Sequence, residues 1–324
     1  MSLLVNGQWQ PDWFATESED GAFVREDAQF RHWITADGSA GPSGEDGFAA
    51  EAGRYHLYVS LACPWAHRTL IFRQLKNLES LISVDVVHPF MGERGWSFDQ
   101  HGAAQGDSLY QSDYMHQIYT RADPDYTGIV TVPVLWDKKR ETIVSNESSE
   151  IIRMFNHAFD ALTGNDLDFY PAQLHAEIDA INAEVYEKVN NGVYCTGFAT
   201  TQEAYEQAFH ELFSMLDALE ARLAKQPYLV GDTLTEADWR LFTTLVRFDA
   251  VYVGHFKCNR NRLVDYPNLW AYCRALYQLG NIKHTVDMDH IKRHYYQSHD
   301  WINPTGIVPA GPEIDFSAPH QRGG

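Results

Sequence analysis

The feature that most constrains this chain is a strand that runs into a helix through a cysteine and a proline, with a second strand close behind. Residues 54–61, Arg-Tyr-His-Leu-Tyr-Val-Ser-Leu, are rich in β-formers and aromatics. Ala62-Cys63-Pro64-Trp65 follows, and residues 66–75 place apolar side chains at helical spacing. Pro64 suits the first helical position, where its missing N–H costs nothing. Ser83-Val84-Asp85-Val86-Val87-His88 is the second strand. Strand, helix and strand at this spacing make a βαβ unit with parallel strands and a right-handed crossover.

Beyond that unit the pattern changes twice. Residues 89–128, rich in Gly, Asp, Tyr and Gln, read as an irregular insertion. Residues 130–136, Val-Thr-Val-Pro-Val-Leu-Trp, read as a strand interrupted by Pro133, which implies an edge, a bulge or a cis bond. A turn at 137–140 and a short strand at 142–144 lead to Ser145-Asn146-Glu147-Ser148-Ser149-Glu150. Capping residues with acids in the first turn predict a helix start there. From about residue 172 strand signals vanish, and helical periodicity covers 174–190, 202–224, 235–250, 268–279 and 285–296. Thr235 and Asp238 read as structural caps of the third of these. At about 150 residues per domain the length suits two domains. The reading is an α/β domain over 54–158 with its insertion at 89–128, then an all-α helical domain over 159–299. An arm at 1–53 precedes them and a tail at 300–324 follows.

Charge narrows the partners. Twenty-five Lys and Arg face 44 Asp and Glu, a net charge of −19. Phosphate backbones and anionic membrane surfaces repel such a chain, so no nucleic acid and no membrane partner is expected. The arm carries ten acidic and two basic residues. Yet Trp9, Trp13, Phe14, Phe30 and Trp33 punctuate it, which predicts packing on the body. Four cysteines without a CxxC pair fit a reducing compartment, and no signal peptide or membrane span is apparent. A cytoplasmic location is expected.

The chemistry gathers at Cys63. A helix N-terminus offers free N–H donors and a partial positive charge, which stabilise a thiolate and make it a nucleophile near neutral pH. The competing reading is a small buried cysteine after a strand. Its placement, together with the later Val132-Pro133, favours the reactive reading. His67 and Arg68 lie close enough along the helix to add positive potential. Cys195, Cys258 and Cys273 are widely spaced and read as packing residues, without metal-site spacing. His284, His290, His294 and His299 near Asp287 and Asp289 raise the question of a metal. Lys292, Arg293 and tyrosines interleave with them, and no metal is expected.

Three features together — the strand-Cys-Pro-Trp-helix, the Val-Pro strand and Glu147-Ser148 at a helix start — resemble the thioredoxin-like glutathione site of the glutathione transferase superfamily. The longer string from Tyr58 to Arg68, Tyr-Val-Ser-Leu-Ala-Cys-Pro-Trp-Ala-His-Arg, is more specific. With Val132-Pro133-Val134-Leu135-Trp136-Asp137, Ser145-Asn146-Glu147-Ser148 and Asn303-Pro304-Thr305-Gly306, it resembles the glutathionyl-hydroquinone reductases, the Xi-class transferases. The similarity covers nearly the whole chain, arm and tail included. It implies a thioredoxin-like N-terminal domain, an all-α C-terminal domain and a homodimer. It also implies glutathione as co-substrate and a glutathionylated quinol as substrate.

The resemblance implies roles residue by residue. Cys63 is the catalytic thiol. Val132 offers backbone bonds to the cysteinyl part of glutathione, Glu147 and Ser148 hold its γ-glutamyl end, and Trp96 lies over it. Tyr194, Tyr252 and Tyr295 line the aromatic substrate pocket, against a default of core packing for tyrosines. Ala66 stands where a dithiol motif has its second cysteine, so an external thiol must resolve Cys63. Two other readings stay open: lyase or thiol-transferase chemistry on β-aryl ethers or small disulfides, and a non-enzymatic glutathione-binding module.

One position departs from the family pattern. Ile129 stands where arginine is common in contact with glutathione. A missing charge-assisted bond of about 1–3 kcal/mol corresponds to roughly 5- to 150-fold in binding. Ile129→Arg is therefore expected to lower the KM for glutathione within that range, measured in steady state. An unchanged KM rejects the assignment.

Overall fold

The computed structural model describes residues 3–10, 20–45 and 47–322. The described residues within 1–15, 26–168 and 285–298 form the first unit, and those within 16–25, 169–284 and 299–324 form the second. Trp13 and Phe14 of the arm lie outside the described residues.

In the first unit, β1 (Leu3–Val5) and β2 (Gln8–Gln10) form a hairpin; β3 (Ile34–Thr35) and β4 (Phe48–Ala49) pair in parallel. Next come β5 (Tyr55–Val59), α1 (Pro64–Leu75) and β6 (Ser83–Val86). Inside the insertion stand a tight hairpin, β7 (Met91–Gly92) and β8 (Gly95–Trp96), and a helix, α2 (Met115–Ala122). Then follow β9 (Gly128–Ile129), β10 (Val134–Asp137), β11 (Thr142–Ser145), α3 (Ser148–His157) and the short α4 (Asp160–Thr163).

The central sheet has the order β11-β10-β5-β6. β5 and β6 are parallel, with Val59 opposite Val86, as a βαβ crossover demands; β10 and β11 run antiparallel. Every residue of β5 is buried, which explains its unbroken aromatic and aliphatic run. Leu57, Val59, Val134, Leu135 and Trp136 build the core with Ile71, Phe72, Ile151, Ile152 and Phe155 from α1 and α3, which pack on each other.

Two expectations are corrected here. The insertion is not irregular throughout, since it holds α2 and the β7–β8 hairpin. The strand expected over 130–136 begins only at Val134. Pro133 has no N–H for a ladder, and Gly128 and Ile129 belong instead to a second sheet, where Ile129 pairs with Leu3. The Val132–Pro133 bond is cis. The described part of the arm is packed: Trp9 donates from Nε1 to the Glu93 carbonyl at 3.0 Å, and Phe30 stacks on Tyr126.

The second unit is helical. It comprises α5 (His175–Val185), widened by a π-type turn through Asn190, α6 (Gly192–Phe198), α7 (Gln202–Leu223), α8 (Glu236–Arg247) and α9 (Pro267–Gln278). α6 was not legible in the periodicity. The last helix, α10 (Met288–Ser298), clusters with the first unit, although it follows the helical run in sequence.

Asp238 is the polar hinge of the second unit. Its buried carboxylate accepts from the Leu229 and Thr235 N–H groups, both at 2.8 Å, and from the Tyr272 hydroxyl at 2.7 Å. Thr235 caps α8, its hydroxyl accepting from Ala237 N–H at 3.3 Å, and it forms a capping box with Asp238. Burial pushes the Asp238 carboxyl up, and the bonds it accepts oppose that. In the same unit, His255 and His299 share a 3.0 Å contact between Nε2 and Nδ1.

Asp238→Ala leaves the Leu229 and Thr235 N–H groups and the Tyr272 hydroxyl unmet and is expected to cost about 3 kcal/mol or more in urea unfolding, against about 1 kcal/mol for Thr235→Ala. Equal losses reject the hinge role. Burial depresses His255 to about 4. The unfolded chain takes up that proton below about 6.5, so stability falls as pH drops from there towards 4. His255→Gln should flatten this decline in urea midpoints; an identical pH profile rejects the assignment.

Candidate active site

β5 ends at Val59, and the chain turns through Ser60, whose carbonyl accepts from Cys63 N–H at 3.2 Å. Cys63 is the N-cap of α1, with extended backbone and Pro64 in the first helical turn. Its Sγ accepts from Ala66 N–H at 3.5 Å, so the sulfur does what a Ser or Asp oxygen does at other helix starts. The thiol in turn donates to the Val132 carbonyl at 3.5 Å. Cys63 keeps 9% of its surface exposed. A sulfur at the positive end of a helix, with an N–H aimed at it, is in the setting that stabilises sulfur anions.

The sequence reading joins Cys63 and Val132 in one site, and the fold places them in contact. Glu147 and Ser148 meet the first turn of α3. Glu147 is its N-cap, with Oε1 accepting from Ser149 N–H at 2.8 Å. Ser148 is buried, and its hydroxyl lies 3.4 Å from Nη1 of Arg68. Arg68 is itself buried and stacks its guanidinium over Trp65 at 4.6 Å. It thus links α1 to the start of α3, a role its spacing did not reveal. His67 is directed to Thr285, with Nε2 2.7 Å from its hydroxyl.

Sequence reasoning missed Tyr119 and Asn146. The buried Tyr119 hydroxyl donates to the Thr131 carbonyl at 2.9 Å and accepts from Asn146 Nδ2 at 3.1 Å. Asn146 Oδ1 also accepts from Phe30 N–H at 3.1 Å. One phenol therefore ties the backbone before Val132 to the side chain of Asn146, the residue before Glu147. Ile129 sits in β9, half-buried, its carbonyl accepting from the Tyr126 hydroxyl at 3.1 Å. Trp96 ends β8 and stacks on His294 of α10, with ring centres 4.7 Å apart.

Tyr295 neighbours His294 on α10 and is buried in the first unit. Tyr194 and Tyr252 belong to the second unit, with ring centres 6.2 Å apart in a cluster that includes Phe256 and Phe198. The guanidinium of Arg25 lies 4.8 Å over Tyr194. Burial raises the thiols of Cys195, Cys258 and Cys273 above the ordinary cysteine value. His290 directs Nε2 to the His101 carbonyl at 3.3 Å and His294 directs Nδ1 to the Pro89 carbonyl at 3.0 Å. Among the described residues no group of three His, Cys, Asp or Glu is gathered as a metal would need. No helix among them is long and apolar enough to cross a membrane.

The chain matches the glutathione S-transferase N-terminal domain over residues 62–158 and the glutathione S-transferase C-terminal domain over 202–275. It is 57% identical to the glutathionyl-hydroquinone reductase YqjG of Escherichia coli (strain K12), over 99% of this chain and 98% of that one. It is 54% identical to the glutathionyl-hydroquinone reductase PcpF of Sphingobium chlorophenolicum, over 96% of each. The glutathione-bound structure of YqjG superposes with a TM-score of 0.92 at 55% identity, covering 99% of this chain and 98% of that chain. The Xi-class transferase of Natrialba magadii superposes with a TM-score of 0.93 at 50% identity, covering 99% and 97%. Likeness at this level, running through arm, sheet and helices alike, is shared descent: the chain belongs to the glutathione transferase family, within the Xi class that groups the glutathionyl-hydroquinone reductases.

Proposed function

We propose that this enzyme reduces glutathionyl-hydroquinones to hydroquinones with glutathione as the reductant. The observation that carries the reading is the setting of Cys63, a lone thiol capping α1 with Ala66 N–H on its sulfur and the Val132 carbonyl beside it. The Cys63 thiolate attacks the sulfur of the glutathionyl-hydroquinone. The S–C(aryl) bond breaks, its electron pair stays on the ring carbon, and that carbon takes up a proton. Hydroquinone leaves, and Cys63 holds glutathione as a mixed disulfide. A second glutathione thiolate attacks the glutathione sulfur of that disulfide, releasing oxidised glutathione and restoring Cys63. The quinol carbon is reduced by two electrons, and two glutathione sulfurs are oxidised to one disulfide.

The other chain residues bind and orient. Val132, beside Cys63, pairs its backbone with the cysteinyl part of glutathione. Glu147 and Ser148 meet the γ-glutamyl end at the N-terminus of α3, whose positive dipole end suits a carboxylate. Trp96 covers the tripeptide, and Ile129 stands at its edge in the place of the family's common arginine. Tyr194, Tyr252 and Tyr295 supply an aromatic, hydroxyl-bearing lining for the quinol. The working form is a homodimer in the cytoplasm, a setting that suits four thiols without a disulfide.

Cys63→Ala is expected to lose turnover of 2-glutathionyl-hydroquinone while keeping the wild-type fold by circular dichroism, with at most the small loss of stability that a missing cap brings. Retained turnover rejects the mechanism. Iodoacetamide reacts with thiolates, and the other three thiols are raised by burial. At pH 7 wild type should therefore take up one label, on Cys63, and the Cys63→Ala variant none. Assaying hydroxyethyl disulfide alongside discriminates general thiol transfer: faster turnover of that disulfide than of the quinol conjugate favours the alternative.

A further inference from the structure

α10 ends the helical run of the sequence but belongs to the unit that carries Cys63. Its contact with the insertion is specific. His294, buried at the C-terminal half of the helix, lies nearly parallel to the Trp96 indole, with centres 4.7 Å apart and planes at 25°. The tautomer is fixed from the other side. Nδ1 lies 3.0 Å from the Pro89 carbonyl, which can only accept, so Nδ1 carries the proton. The Ser298 hydroxyl, one turn further along α10, is 3.3 Å from the same nitrogen and accepts from Met91 N–H at 2.9 Å. Met91 pairs with Trp96 across the β7–β8 hairpin. The imidazole is thus clamped at its edge by the start of the hairpin and presents its face to the residue at the hairpin's end.

A flat ring held in one orientation sets the tilt of the indole stacked on it. The same imidazole meets Tyr295 edge-on, with centres 5.2 Å apart. We propose that His294 is a positioning residue: through its clamp on Pro89 and Ser298 it holds Trp96 at the tilt that covers the glutathione moiety. This rests on the reading of Trp96 as the cover over glutathione. His294 touches neither the reacting sulfur nor the quinol in this assignment. Its effect passes through the indole, so it shows in glutathione affinity rather than in the rate of sulfur transfer.

The test uses the full-length enzyme, with glutathione affinity from isothermal titration calorimetry and steady-state kinetics on 2-glutathionyl-hydroquinone. His294→Ala is expected to weaken glutathione binding and raise the KM for the conjugate about 3- to 10-fold, the range an aromatic contact supplies, with kcat within about twofold. His294→Phe keeps the flat face and should recover most of the affinity. His294→Leu fills the space without a ring and should behave as the alanine variant does, which covers the case that His294→Ala does not fold. Trp96→Ala combined with His294→Ala should bind no worse than Trp96→Ala alone. Additive losses in that double variant, unchanged affinity in Trp96→Ala or His294→Leu, or a phenylalanine variant as weak as the leucine one each overturn the proposal. So does a lowered melting temperature with unchanged glutathione affinity. A wild type that binds glutathione without turning over the conjugate overturns the functional reading instead, while the binding constants still decide His294.

Discussion

Everything at the reactive end of the first unit depends on one cap. The sulfur of Cys63 closes the N-terminus of α1 by accepting from Ala66 N–H, and its thiol reaches the Val132 carbonyl. An oxygen at that position would cap the helix more strongly. Sulfur is a weaker acceptor, and what the chain gains is a polarisable atom held at the positive end of a helix, the nucleophile of the proposed reaction. The cap also joins two parts of the sheet that lie far apart in sequence, because Val132 precedes β10, the antiparallel neighbour of β5. Reactivity and architecture therefore share one contact.

Around that cap the site is tied by groups that never touch glutathione in the proposed reaction. Tyr119, from the insertion, holds the backbone at Thr131 and the side chain of Asn146 with a single hydroxyl. Arg68 spans from α1 to Ser148. Buried polar groups of this kind are costly unless they are satisfied, and satisfied ones fix a single arrangement. Under the proposed function, the two loops that would present backbone groups to glutathione are thus set before it arrives, which lowers the ordering cost of binding.

Much of this was legible in the sequence where the signal is local. β5, α1, β6 and α3 were readable because burial, caps and proline act on neighbouring residues. The insertion was not, because α2 is only eight residues long and a helix of that length stands by its tertiary contacts. α6 escaped for a related reason. It contains Gly192 and Gly197, which weaken any helical signal, yet a β-carbon at Gly197 would come within 2.2 Å of the Phe256 ring. The glycine that hides the helix is the one its packing requires. Motif residues such as Cys63, Val132, Glu147 and Ser148 could be named in advance. Their supports, Tyr119, Asn146 and the stack of His294 on Trp96, are joined across tens to hundreds of residues and leave no periodic trace.

The first unit is discontinuous, because α10 returns to it from the far side of the helical run. On the ribosome, residues 54–168 emerge early and can form the sheet and cap Cys63 as soon as β10 pairs. The ring that backs Trp96 arrives only with His294, after nearly all of the chain has been made. Domains generally fold as units during synthesis, N-terminal parts first. Here Cys63 caps its helix long before the Trp96 indole gains its backing, so under the proposed function the nascent chain carries its nucleophile before the cover over glutathione is complete.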